Sequence, residues 1–169
     1  MPGMLDTDDD DLEYHPPTRE EVFTQLENWR RRLHALYADI ISWLPADAGY
    51  ETEIRDHMAD EGPMRHAGVP PQPVPELVVR RNSQPVLIFT PNACWIIGAA
   101  GRIYVNEGNH KTIPHTLVDS TSPFVERGWR LIRRDRVRPA LGKPIDMSKW
   151  RGLPFDRLQL LALMEPANE

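Results

Sequence analysis

A single cysteine, Cys94, in 169 residues excludes an internal disulfide framework and any zinc site built on paired cysteines. Lysine is scarce as well: Lys111, Lys143 and Lys149 are the only three, so nearly all positive charge is guanidinium. No apolar run approaches the roughly 18 residues that a membrane-spanning helix needs, and no membrane partner is expected. Met1 to Glu13 is acidic, the wrong charge for a secretory signal or a transit peptide, so a reducing cytoplasm is the expected compartment. Phosphate-cradling loops are missing too. Gly98-Ala99-Ala100-Gly101 has no lysine and no helix pattern after it, which leaves it as a hairpin turn rather than a nucleotide loop. No cofactor is expected.

What is present has globular composition, with 40% hydrophobic and 27% charged residues, enough for one domain with a core. The net charge of −5 hides an asymmetry. Residues 1–75 carry 16 acids and 6 bases, whereas residues 76–169 carry 9 acids and 14 bases. Such a split speaks to partners, or to contact between the halves, and not to fold.

Residues 1–17 read as an acidic tail, since Asp6, Asp8 to Asp11 and Glu13 repel one another and Pro16-Pro17 stops a helix from reaching back. Residues 18–62 read as a helical hairpin. Thr18 and Glu21 form a capping-box pattern. Behind it Val22, Leu26, Trp29, Leu33, Leu36, Ile40 and Trp43 repeat at 4-3 spacing, a heptad seam closed by Pro45. A helix over 19–44 is about 39 Å long. Its stripe therefore needs a substantial partner, either the chain's own sheet or a second copy. Tyr50, Ile54 and Met58, four apart, predict a shorter second helix over about 47–61.

Residues 63–75 hold five prolines and read as an extended connector. Residues 76–169 read as a small β-domain with a C-terminal helix. Strands are expected over 77–81, 86–90, 94–97, 102–105, 116–118 and 128–134, an antiparallel meander or half-barrel. The last helix opens at Pro154-Phe155 with Phe155, Leu158, Leu161 and Ala162 on its apolar face. The fold class is α+β.

Arginine carries the leading functional expectation. Nine basic residues lie between Arg127 and Arg151 against only Asp135 and Asp146. On a strand running through Trp129, alternation places Arg130, Arg134, Arg136 and Arg138 on one face, at a spacing of roughly 7 Å that suits phosphates. Trp150 offers a stacking platform. The residues nominated for nucleic acid are thus Arg130, Arg134, Arg136, Arg138 and Trp150. Those nominated for self-association are Leu26, Trp29, Leu33, Leu36, Ile40 and Trp43, on the helical seam. The ordinary reading of the arginines is a solvated face or pairing with the acidic half.

Three further patterns carry less. His110, His115 and Asp119 have metal-ligating chemistry but a spacing that suits neither one helix face nor one strand face, so no metal is expected. His115 with Asp119 and Ser120 or Ser122 could make a hydrolytic triad, but no nucleophile elbow surrounds either serine. Cys94 sits in an apolar stretch where a buried, inert thiol is the ordinary outcome. The sequence points to a non-catalytic binding protein that contacts a polyanion. Its rivals are a protein–protein adaptor or inhibitor, working through the helical stripe or a sheet edge, and a metal- or histidine-dependent hydrolase.

Overall fold

A computed structural model describes residues 15–96, 99–108, 114–120, 128–134 and 152–164. Helix α1 (Arg19–Trp43) comes first, then β1 (Tyr50–Ala59), the single-turn α2 (Gly62–His66) and β2 (Gln72–Arg81). After these run β3 (Gln84–Ala93), β4 (Ala99–Glu107), β5 (His115–Ser120), β6 (Gly128–Ile132), β7 (Leu153–Pro154) and a closing helix α3 (Arg157–Met164). The strands form one open antiparallel sheet in chain order, β1-β2-β3-β4-β5-β6-β7. The α+β class holds. No helix among the described residues is long and apolar enough to cross a membrane.

The expected capping box is present, with the Glu21 N–H donating to Thr18 Oγ1 at 3.2 Å and the Thr18 N–H donating to Glu21 Oε2 at 3.3 Å. The seam of α1 then faces the chain's own sheet. Trp29, Leu33, Leu36, Tyr37 and Ile40 join Leu77, Val79, Leu87, Phe89, Ile103, Val105, Leu117 and Leu131 in the main core. One turn nearer the N-terminus, Val22 and Leu26 pack instead on Met64 and Val69, around α2. So two partners share a stripe that one short helix could not cover.

The second expected helix is a strand. Tyr50, Ile54 and Met58 are four apart, and an even offset keeps residues on one face of a strand as well as on one side of a helix. The chain here alternates Tyr50, Thr52 and Ile54 with Glu51, Glu53 and Arg55, and β1 pairs along its whole length with β2. There is accordingly no helical hairpin at 18–62.

The proline connector is also partly strand. Pro63 sits in the first turn of α2, where the missing N–H has no helical partner to lose. Pro73 and Pro75 lie within β2. Their carbonyls accept from Arg30 Nε at 2.8 Å and from the Tyr37 hydroxyl at 2.8 Å, so their backbone polar edge faces α1 rather than β1. Pairing of β2 with β3 begins only at Leu77, and no ladder donor is needed at either proline. The β2–β3 turn holds Asn82 at φ 52° and Ser83 at φ 62°, the two positive values of a tight primed hairpin turn.

Two smaller expectations also shift. In place of the strand expected over Cys94 to Ile97, only an isolated bridge from Ile96 to Ala99 is present, and residues 97–98 lie outside the described residues. Leu153–Pro154 forms β7, and α3 starts later, where Asp156 Oδ1 accepts from the Gln159 N–H at 2.9 Å. Helix α3 buries Leu160 and Leu163, while Leu158 is 72% exposed and not part of the apolar face.

Candidate functional site

The sheet has two faces, and they have different chemistry. Alternation along each strand turns Leu77, Phe89, Ile103, Leu117 and Leu131 towards α1. It turns Arg102, Tyr104, Thr116, Val118, Arg130 and Ile132 to the outer face. In register, Arg102 is opposite Val118 and Val118 is opposite Arg130. Two arginines therefore flank one valine in a single cross-strand row, with backbones about 10 Å apart. Among the described residues of β4, β5 and β6, none on this face is acidic.

Each arginine is held in place. Arg102 Nε donates to Asn92 Oδ1 at 2.7 Å, and its guanidinium lies 5.5 Å from the centre of the Tyr104 ring. Arg130 Nη2 donates to the Gly152 carbonyl at 2.8 Å. The Asn92 acceptor is neutral, and such a bond orients the Arg102 guanidinium without cancelling its charge. Arg102 is absent from the residues nominated by sequence, although its place between core residues Gly101 and Ile103 marks it by alternation as outward-facing.

The expected row through Arg134 breaks, because β6 ends at Ile132. Arg134 lies beyond the strand, with Nη2 at 4.0 Å from Glu107 Oε2. Arg136, Arg138 and Trp150 lie outside the described residues, as do His110 and Ser122.

The seam nominated for self-association is enclosed. Leu26, Trp29, Leu33, Leu36 and Ile40 are all at most 3% exposed, and Trp43 packs edge-on against Phe155 with ring centres 5.6 Å apart. The first five of these side chains are spent on the chain's own core and offer no surface to a second copy, whereas Trp43 is half-buried. Trp29 is the most constrained: its ring sits against Gly101, where an added Cβ would come within 1.9 Å of the indole, and 6.0 Å from the Trp129 ring. Arg32 stacks on Trp29 and donates to Asp119 Oδ2 at 2.6 Å and to the Ala100 carbonyl at 2.7 Å, tying α1 to β4 and β5.

His115 is 3% exposed and has both nitrogens engaged. Nε2 faces Glu107 Oε1 at 3.2 Å, and Nδ1 accepts from the Arg134 backbone N–H at 3.2 Å. These partners select the tautomer protonated on Nε2. Burial, outweighing the hydrogen bond to Glu107, pushes the imidazole below its ordinary value, with Arg133 and Arg134 adding to the shift. A neutral ring with no free lone pair can neither ligate a metal nor take a proton from a serine. Asp119 is committed to Arg32, and no group of three or more metal-ligating side chains occurs among the described residues. Cys94 is buried and its thiol is pushed well up, first by burial and then by the Glu61 carboxylate, which accepts the Cys94 N–H at 3.0 Å. Such a thiol is not a nucleophile.

At the opposite end of the outer face, charges come in pairs. Arg55 Nε meets Glu76 Oε1 at 2.5 Å, Thr90 Oγ1 donates to Glu76 Oε2 at 2.7 Å, and Arg80 pairs with Glu53. Strand β1 is the last strand on that side, with Glu51 to Asp56 all exposed. Comparison with known protein families, with curated proteins and with solved structures finds no match.

Proposed function

We propose that the protein is a non-catalytic binding protein whose arginine-bearing outer face, at β4 to β6, engages a polyanion, nucleic acid first of all. The observation that carries this reading is the row Arg102–Val118–Arg130, on a face without acidic side chains among the described residues. Guanidinium groups match phosphate bidentately, and Tyr104 beside Arg102 supplies an aromatic surface for a base. In this reading Arg134 at the exit of β6 extends the contact, followed along the chain by Arg136, Arg138 and Trp150. A cytoplasmic location goes with it.

Fluorescence anisotropy with short single- and double-stranded DNA and RNA, at about 50 and 200 mM salt, tests the proposal. Expected is micromolar binding that collapses between those concentrations. The double variant Arg102→Gln/Arg130→Gln should lower the salt slope by about two contacts. Absence of binding at the lower salt removes the reading.

One observation favours a second reading, a protein–protein adaptor acting through a sheet edge: β1 runs for ten residues with no strand on its outer side among those described. Along the helical stripe, Leu26, Trp29, Leu33, Leu36 and Ile40 are taken up by the core.

A further inference from the structure

The two edges of the sheet are finished differently. Strand β7 has two residues, one of them Pro154, which is how an edge is kept from pairing. Strand β1 has ten residues, no proline, and only β2 beside it among the described strands. Half of its backbone N–H and C=O groups point to the open side. Ile54 and Met58 are 45% and 55% exposed there, an unusual amount of apolar surface for an edge strand.

We propose that two copies of this chain pair through β1, antiparallel, with Ile54 on the two-fold axis, joining the two sheets into one. The pairing belongs to a different surface from polyanion binding and does not depend on it. It deepens the sheet-edge reading by naming the partner.

The argument is one of register. With Ile54 opposite Ile54, Glu53 meets Arg55 of the second copy, Thr52 meets Asp56, Glu51 meets His57 and Tyr50 meets Met58. By symmetry each of these contacts occurs twice. Every pair is apolar with apolar, a hydroxyl with a carboxylate, or a carboxylate with a basic side chain, the combinations that favour cross-strand association. Neighbouring registers fail. A shift of two sets Glu53 against Glu53 or Arg55 against Arg55 on the axis. A shift of one sets Glu51 or Glu53 against Asp56 and puts Ile54 opposite a charged residue. Like charges directly opposite are destabilising, so the strand selects one register.

The chosen register also continues the ion pairs that already cross β1 and β2. On the outer face Arg80 pairs with Glu53 and Arg55 with Glu76 within one chain. Across the axis the row becomes Arg80, Glu53, then Arg55 and Glu76 of the second copy, alternating in sign throughout. Residues of the same face oppose one another, so both α1 helices lie on one side and both arginine-bearing faces on the other. Two polyanion sites on one surface would act with avidity.

The test begins with the full chain by sedimentation velocity from about 1 to 200 µM, a range spanning ordinary dimer affinities. Expected is a concentration-dependent rise to twice the 19.4 kDa chain mass. Glu53→Arg alone and Arg55→Glu alone should each weaken dimerisation by about tenfold or more, since each creates two like-charge pairs. Mixing the two variants should restore it, because a strand carrying the first substitution and a strand carrying the second again set opposite charges against each other; circular dichroism checks that each variant is folded. A second readout avoids altering any charge. Ile54→Cys should form a disulfide-linked dimer under mild oxidation, while Thr52→Cys, about 13 Å from its own counterpart at 3.3 Å per residue, should not. The buried Cys94 stays out of the reaction. A mass fixed at that of one chain overturns the proposal. So does a dimer in which Ile54→Cys fails to cross-link or the charge-swapped mixture gains nothing, since that dimer uses another surface or register.

Discussion

The outer face of this sheet is two surfaces joined at β3. At the β1–β2 end, Glu53, Arg55, Glu76 and Arg80 are partnered with each other across the strands, and Thr90 donates to the buried Glu76 carboxylate. At the β4–β6 end, Arg102 and Arg130 are held by Asn92 and by the carbonyl of Gly152. A carboxylate–guanidinium pair consumes charge inside the chain, whereas the bond from Arg102 to the neutral Asn92 amide fixes direction without cancelling charge. The same residue type therefore meets carboxylates at one end and, at Arg102, a neutral amide at the other. What decides between them is the cross-strand neighbour, not the local density of arginine. The α1 side repeats the division. Tyr37 holds the β2–β3 end through the Pro75 and Phe89 carbonyls, while Trp29 and Arg32 hold β4 to β6.

The comparison breaks most violently at Trp29. Trp29→Ala should cost about 3–5 kcal/mol, measured by chemical denaturation, because a buried indole leaves a void its neighbours cannot fill. The loss of amide protection should be concentrated in β4 and β6, the strands that touch the ring. Uniform loss across the sheet would show that the two ends are not separately anchored. Gly101→Ala attacks the same contact from the sheet and should cost about 1–3 kcal/mol, since the new methyl must displace the indole. Combined with Trp29→Leu it should cost less than the sum of the two.

Charge neutralisation sharpens the comparison directly. Glu76→Gln should destabilise by about 1–2 kcal/mol, through the weakened bonds to Thr90 and Arg55 at a nearly buried site. Arg102→Gln should change stability by less than about 0.5 kcal/mol and instead reduce polyanion affinity and its salt dependence. Equal stability losses at the two positions would erase the distinction between the ends.

Much of this fold was legible in the chain, and the failures share a cause. The capping box and the seam of α1 are local patterns, and local geometry satisfies them. The position of β1 was hidden because Tyr50, Ile54 and Met58 obey both periods, and only pairing with β2 separates them. Pro73 and Pro75 argued against a strand, yet their polar edge faces α1, a relation between elements that no residue count contains. The arginines were legible only in part. Alternation placed Arg130 on the outer face, but the strand ends two residues before Arg134, and the cross-strand row that includes Arg130 reaches Arg102. Cross-strand register joins residues 28 positions apart in sequence, which spacing along one strand does not reveal.

At the exit of β6, the backbone of Arg134 is tied to the buried ring of His115. Its folded pKa lies below the ordinary histidine value of 6.5, chiefly through burial. The unfolded chain therefore takes up a proton before the folded one does, and stability contributed by the neutral ring is complete above about pH 6.5 and falls as the pH drops below it. The structural reason is visible at Nδ1, which accepts the Arg134 N–H. A protonated ring presents an N–H there instead, donor against donor, while the bond from Nε2 to Glu107 survives. The Arg134 amide should therefore lose protection, measured against the intrinsic exchange rate at each pH, as the pH falls, ahead of the amides of Leu77 to Val79, which lie in the middle of the sheet. Denaturation curves collected between pH 5 and 8 should show stability falling towards acid, and His115→Phe should flatten that fall while lowering stability throughout. If the variant keeps the same slope, another group owns the titration, and the arginine-bearing end has no proton-sensitive anchor.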